Sequence, residues 1–368
     1  MKIRAAVLEE FGAPLAVQEL ELTEPQAGEV LVRLVNCGVC HTDLYTASGA
    51  DPSGYAPAVL GHEGAGVVES VGPEVTSVAP GDHVVTLFSP QCRECVHCVD
   101  DRTNLCMAIR AEQNLGHLPD GTTRLRRDGE EIRHFMGCST FAEYTVMPEI
   151  ALAKINPEAP LEHACLFACG LSTGLGAAIN TAKVQPGTTC VVFGAGMVGL
   201  GAVAGARLQG AERIVCVDLS DERLELARGQ GATDLMVAGP DTVAEILEMT
   251  DGYGADYTFE ATGNVKVMAQ AVEAARMAWG LCTVAGVAGK GETLDVIPRW
   301  LITGRRVAGS SFGGVKGRDQ VPVFVEQAMA GEIDVAPFVS HTITLDEVNR
   351  GFELMEAQDG IRSVIQFN

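Results

Sequence analysis

Four cysteines crowded into one short stretch carry the plainest chemistry in this chain. Cys92-x2-Cys95-x2-Cys98-x7-Cys106 lies among polar residues. Four thiolates at that spacing can close a tetrahedron around zinc within one loop. Such a set leaves no coordination position open, so it predicts a structural metal. Four reduced surface thiols would be prone to oxidation. A small zinc module for binding partners is the other reading, and Glu94, Asp100 and Asp101 around the loop weigh against nucleic acid as that partner. Cys190, Cys216 and Cys282 sit instead in apolar runs and read as small core residues.

A second constellation is a phosphate cradle. Gly194-Ala195-Gly196-Met197-Val198-Gly199 follows the apolar run Cys190-Val191-Val192-Phe193 and opens a stretch of small residues of helical character. Gly194 permits a tight turn, Gly196 lets a pyrophosphate approach the backbone, and Gly199 lets helix and sheet pack closely. The first helical N–H groups and the dipole then face the phosphates. Asp218 ends the next apolar run at the distance expected of a carboxylate that accepts from ribose hydroxyls. It would repel a 2′-phosphate, which predicts NAD rather than NADP; Arg223 follows a turn later. A helix N-cap is the alternative role for Asp218.

Three other residues could form an open metal site: Cys40 in Cys37-Gly38-Val39-Cys40-His41-Thr42-Asp43, His62 in Gly61-His62-Glu63-Gly64, and Cys169 in Ala168-Cys169-Gly170. Two cysteines and one histidine leave a fourth position for water or substrate. Spacing does not decide the matter, because the residues are far apart and a lone histidine or cysteine is more often part of a core.

Together, the GHEGAG and CHTD runs, the four-cysteine loop, the Gly194 motif and Thr303-Gly304-Arg305 resemble the zinc-dependent medium-chain alcohol dehydrogenases over essentially the whole chain. Leu105-Cys106, Pro119-Asp120-Gly121-Thr122, Ser139-Thr140-Phe141, Gly263-Asn264-Val265-Lys266-Val267-Met268 and Ile361-Arg362-Ser363-Val364 resemble the class III group, the glutathione-dependent formaldehyde dehydrogenases. The resemblance implies two zinc ions per subunit. Cys40, His62 and Cys169 would hold the catalytic one, with Glu63 as a transient ligand, and Cys92, Cys95, Cys98 and Cys106 the structural one. Asp43 would fix the His62 tautomer. Thr42 would bond the alcohol and pass its proton on. His41 and Arg362 would meet the pyrophosphate, and Thr173 and Phe312 the nicotinamide. Zinc would acidify the alcohol and NAD would take the hydride. Phe88, Phe135 and Met136 would line the alcohol pocket, with ordinary core as their other role.

The elements that position these residues fall into two patterns. The first 170 residues are rich in Gly, Pro and short strand-like runs, such as Val30–Val35 and Gly66–Val71, and predict a partly open β-barrel. From Thr188 onward apolar strands alternate with helical segments, which predicts a parallel, doubly wound sheet. With the family resemblance, these patterns imply an α/β fold class: a GroES-like catalytic domain over 1–171, a Rossmann domain over 172–311, and a return to the first domain over 312–368. A net charge of -22 repels nucleic-acid phosphates. No apolar run has the roughly 20 residues of a membrane span. The charged N-terminus lacks a following apolar region, so the chain reads as cytoplasmic.

Substrate is less legible. Arg110 stands where class III has an arginine for the glutathione carboxylate, and Asp51 matches an acid near its amine. Yet Ser53, Met107 and Met277 replace an expected acid, glutamine and lysine. Lost polar partners favour a more apolar substrate. The leading expectation is therefore NAD-linked oxidation of medium-chain or aromatic primary alcohols. Oxidation of a hydroxymethyl adduct of glutathione or another thiol is the alternative. A non-enzymatic zinc-stabilised binding protein would have a damaged catalytic set, and Cys40, His62, Cys169, Thr42 and Asp218 are all present. The family resemblance also implies a homodimer joined through Rossmann edge strands.

Overall fold

The computed structural model describes residues 1–51 and 53–367. They form two compact units: Met1–Cys169 with Lys316–Asn368, and Gly170–Val315. The second crossing falls at Lys316 rather than at 312, because the turn Ser311–Gly314 packs on the helix Gly170–Gly176 and so stays with the central unit.

In the first unit, the strands Lys2–Leu8, Ala16–Leu22, Leu125–Arg127, Glu130–His134 and Ala58–Val59 close into a barrel. The sequence suggested a partly open one. Closure comes from the two-residue strand Ala58–Val59, which pairs with Lys2–Leu8 on one side and Glu130–His134 on the other. A seven-stranded sheet lies in the same unit, and Glu29–Gly38 is its centre, paired with Glu63–Val71, Arg362–Gln366 and Tyr144–Pro148. Alternate residues of that strand serve opposite faces, as a pleat requires. Val30, Val32 and Leu34 enter one core cluster, while Leu31 enters that of the barrel.

The central unit is a six-stranded parallel sheet in the order Asp234–Val237, Arg213–Asp218, Thr189–Phe193, Tyr257–Glu260, Leu281–Val284 and Arg306–Gly309. Its inner strands are continuous apolar runs because helices cover both faces. Cys190, Cys216 and Cys282 are fully buried in it. Strand order reverses beside Thr189–Phe193, the place where doubly wound sheets open a ligand crevice. Among the described residues no single helix is long and apolar enough to cross a membrane.

One buried ion pair staples the hairpin that follows the cysteine loop to the rest of its unit. Arg124 gives Nε to Glu29 Oε2 at 2.8 Å and Nη2 to Glu29 Oε1 at 2.7 Å, and it also reaches Asp120. Both Arg124 and Glu29 are buried. Neither residue stands near the other in sequence, and nothing in the sequence pointed to the pair. Truncating one member of such a pair strands a buried charge, whereas replacing both removes that penalty. Arg124→Met should therefore destabilise the protein by about 3–5 kcal/mol in urea unfolding, and Arg124→Met with Glu29→Gln by distinctly less. Equal losses in the two variants would contradict a buried-charge origin.

Candidate metal and cofactor sites

Both donor sets proposed from sequence converge. The sulfurs of Cys92, Cys95, Cys98 and Cys106 all lie within 4.8 Å of one another. Cys92 Sγ is 3.7 Å from Cys98 Sγ, and Cys95 Sγ is 3.9 Å from Cys106 Sγ. A tetrahedron with zinc–sulfur bonds of about 2.3 Å has edges of roughly 3.8 Å. The loop is therefore already spaced for zinc. Backbone N–H donors to the sulfurs hold the Cys95 thiol down to about 6, while burial pushes Cys106 up to about 12. A divalent cation that takes thiolates would resolve this asymmetry. The loop is braced within its own unit: Lys316 Nζ donates to the Cys98 carbonyl at 3.0 Å, and Arg93 pairs with Asp319.

The second set brings donor atoms of Cys40, His62, Glu63 and Cys169 within 4.8 Å of one another. Local folding explains their placement. Cys40 caps the helix His41–Ala47, and Asp43, in its first turn, accepts the Cys40 N–H at 3.0 Å, one arm of a capping box. The same carboxylate accepts Gly61 N–H at 3.1 Å and faces His62 Nδ1 at 3.0 Å. With Nδ1 bound to a carboxylate, Nε2 is left as the ligand atom, an outer-sphere arrangement common in zinc sites. Cys40, His62 and Glu63 are buried. Thr42 Oγ1 is 3.7 Å from Cys40 Sγ, and His41 is exposed on the same helix.

The electrostatics call for a cation. A proton shared with Cys169 holds the Cys40 thiol well below its ordinary range and lifts Cys169 above its own. Burial pushes the Glu63 carboxyl up to about 8 against the pull of Arg362. Burial would also lower the His62 imidazole, but Asp43 and Cys40 together carry it above the usual histidine value. Three acidic groups around one imidazole with both Glu63 oxygens lacking a hydrogen bond suit an ion such as zinc. Arg362 is buried here, with Nη2 3.2 Å from Glu63 Oε1 and Nη1 donating to the Val39 carbonyl. The family resemblance implies a pyrophosphate contact for Arg362, and its tie to Glu63 carries no signal in spacing.

Residues proposed for the substrate side lie in this same unit. The Phe88 and Phe135 rings stand edge-on to His62 at 5.7 and 5.9 Å. Phe135 is also a core residue, so the two roles expected for it coincide. Met136 is half-buried with a left-handed backbone, φ 52°. Asp51 accepts Thr46 Oγ1 at 2.9 Å and the backbone and side chain of Ser53 at 2.8 and 2.7 Å. Arg110 begins the short helix Arg110–Gln113, and its guanidinium has no partner among the described residues. Gln113 was not singled out from sequence, although its amide bonds the carbonyls of Phe88 and Met136.

In the central unit, Gly194 has φ +98°, and a side chain at Gly199 would stand 1.7 Å from the Gly194 carbonyl oxygen. Both positions therefore demand glycine. Gly196 faces open space, as a cradle for a pyrophosphate requires. Asp218 ends its strand, accepting Ala195 N–H at 2.6 Å and Ser220 N–H at 2.9 Å. The N-cap of the next helix, Asp221–Gln230, is Ser220, which accepts the Arg223 N–H, so Asp218 is not that cap. Thr173 and Phe312 are buried in this unit, Phe312 with a left-handed φ of 50°.

Known proteins resemble this chain along its whole length. The Alcohol dehydrogenase GroES-like domain family matches residues 26–157, and the Zinc-binding dehydrogenase family matches residues 197–330. S-(hydroxymethyl)glutathione dehydrogenases of Synechocystis sp. and Escherichia coli are 50% and 51% identical over 369 residues, covering 100% of both chains. The structure of benzyl alcohol dehydrogenase from Acinetobacter calcoaceticus has a TM-score of 0.93 at 33% identity and covers 100% of each chain. An alcohol dehydrogenase zinc-binding domain protein from Burkholderia ambifaria has the same score at 34% identity, covering 100% of this chain and 99% of its own.

Metal analysis checks the two donor sets separately. Purified protein should carry two zinc ions per chain, and Cys95→Ser should carry one and melt at a lower temperature. Two zinc ions retained in that variant would remove the cysteine loop as a site. With both donor sets formed and relatives matched from end to end, the chain belongs to the zinc-dependent, NAD-linked medium-chain alcohol dehydrogenase family.

Proposed function

We propose that this enzyme oxidises the S-hydroxymethyl adduct of glutathione, with NAD as acceptor, and that simple primary alcohols are secondary substrates. The carrying observation is the 50–51% identity, over the full length, to S-(hydroxymethyl)glutathione dehydrogenases. Arg110, whose guanidinium has no partner among the described residues, supports it. So does Asp51, which Thr46 and Ser53 hold in one orientation. In this reading Arg110 takes a carboxylate of the tripeptide and Asp51 its ammonium group. Ser53 then orients Asp51 instead of adding a second charge.

Zinc supplies a Lewis acid for the substrate oxygen when bound, and NAD supplies the hydride acceptor. The protein does the rest. Cys40, His62 and Cys169 would hold the metal, and Asp43 keeps the His62 proton on Nδ1. Thr42 Oγ1 would relay the substrate hydroxyl proton, accepting it while passing its own on toward the nicotinamide ribose. The phenyl rings beside His62 keep water from the reacting carbon. Loss of a C–H hydride and of that proton turns the adduct into an S-formyl thioester. Glu63, pushed up by burial, converges with the other three donor groups and would be the spare ligand. In the central unit, Gly194, Gly196 and Gly199 seat the pyrophosphate and Asp218 the ribose, with Thr173 and Phe312 at the nicotinamide end.

The aromatic-alcohol reading keeps one specific support, the benzyl alcohol dehydrogenase at a TM-score of 0.93. The two readings separate in one assay of NADH formation. Formaldehyde should turn over only with glutathione present, and faster than ethanol, octanol or benzyl alcohol. Arg110→Ala should raise KM for the adduct about tenfold, the worth of one charged hydrogen bond, and leave octanol within about twofold. Indifference to glutathione would hand the enzyme to apolar alcohols.

We also propose a homodimer. The strand Arg306–Gly309 ends the parallel sheet with Arg306, Val307 and Gly309 exposed, and Leu301 and Ile302, on the short helix that precedes it in the chain, are exposed too. An uncovered edge with apolar neighbours is suited to pairing with a second copy. Light scattering should give the mass of two chains, and a clean tetramer or monomer would overturn this.

A further inference from the structure

Gln113 is a buried amide, 5% exposed, at the end of the helix Arg110–Gln113. Its Nε2 donates to the Phe88 carbonyl at 2.9 Å and to the Met136 carbonyl at 2.7 Å. Both amide hydrogens are thus spent, each on a different segment. Phe88 stands against His62. Met136 and Gly137 run left-handed, with φ 52° and 67°, and Gln113 Nε2 packs 3.5 Å from where a side chain on Gly137 would begin. Gln113 Oε1 is buried and has no hydrogen-bond partner among the described residues. An apolar residue would remove that unpaired acceptor, so what the glutamine contributes is its two donated bonds.

We infer that Gln113 is a positioning residue for substrate selection: it holds the Phe88 and Met136 segments at a fixed separation and sets Arg110, one turn earlier on its helix, relative to both. This rests on the substrate-side reading of those three residues. The consequence is selective. Ethanol meets only the metal and the rings nearest it. A long or branched substrate must also pass between Phe88 and Met136 and reach Arg110.

The test compares wild type with Gln113→Leu, which keeps the volume and loses the donors, on formaldehyde plus glutathione, octanol and ethanol. Zinc content, melting temperature and NADH affinity by fluorescence are read alongside. In Gln113→Leu, kcat/KM for the adduct should fall about tenfold, mainly through KM, the effect of losing two ordinary hydrogen bonds. Octanol should fall severalfold and ethanol should stay within about twofold, with zinc and NADH affinity unchanged. Gln113→Glu, whose carboxylate faces two carbonyls, should lose at least as much. An equal loss on all three substrates, or no loss with zinc intact, overturns the inference. If wild type shows no glutathione requirement, the substrate reading fails. The octanol-to-ethanol ratio still decides on Gln113, which is upheld by a fall in Gln113→Leu and overturned by none. Should Gln113→Leu not fold, Gln113→Asn, one methylene short, must lower the same ratios.

Discussion

The Asp43 carboxylate is the constraint on which the metal site depends. It is wholly buried and gathers the Cys40 N–H, the Gly61 N–H and His62 Nδ1. Burying an ionised carboxylate is costly unless its lone pairs are filled. Here the groups that fill them are the backbone of one ligand, the side chain of a second and the residue just before it. The same bonds that offset the carboxylate's desolvation therefore fix where the ligands stand. The helix His41–Ala47 begins at Cys40 because Asp43 caps it, so helix start and ligand position are one event.

Much of the chemistry was legible because it is local. The cysteine loop spans few residues, so its spacing alone implied a closed site, and the sulfur separations agree with a zinc tetrahedron. The Gly194 turn was legible for the same reason, with strand, glycines and acid inside one βαβ unit. Cys40, His62 and Cys169 were different. Spacing left them open, and only likeness to a family joined them, because the contacts that unite them are made by the tertiary fold.

Illegible features were long-range and chemically ordinary. Glutamate, arginine and glutamine are common surface residues, and neither Glu29–Arg124 nor Gln113 announces that it is buried. The barrel was expected to be partly open because a two-residue strand, Ala58–Val59, gives too little periodicity to be seen, yet it closes the ring. The point where the chain re-enters the first unit is illegible for a similar reason: Phe312 lies in a turn whose allegiance is fixed by packing on Gly170–Gly176 rather than by its own pattern.

The left-handed backbone at Met136 also limits how this enzyme could diversify. A side chain branched at Cβ fits poorly at positive φ, whereas straight chains and asparagine tolerate it. Valine, isoleucine and threonine are thus disfavoured at this position, whatever the proposed pocket holds. Evolution can lengthen, shorten or polarise the residue there, but it has little freedom to broaden it beside the backbone. Changes of substrate preference that need a wide, branched side chain would have to arise at another position, such as Phe88, whose backbone carries no such restriction.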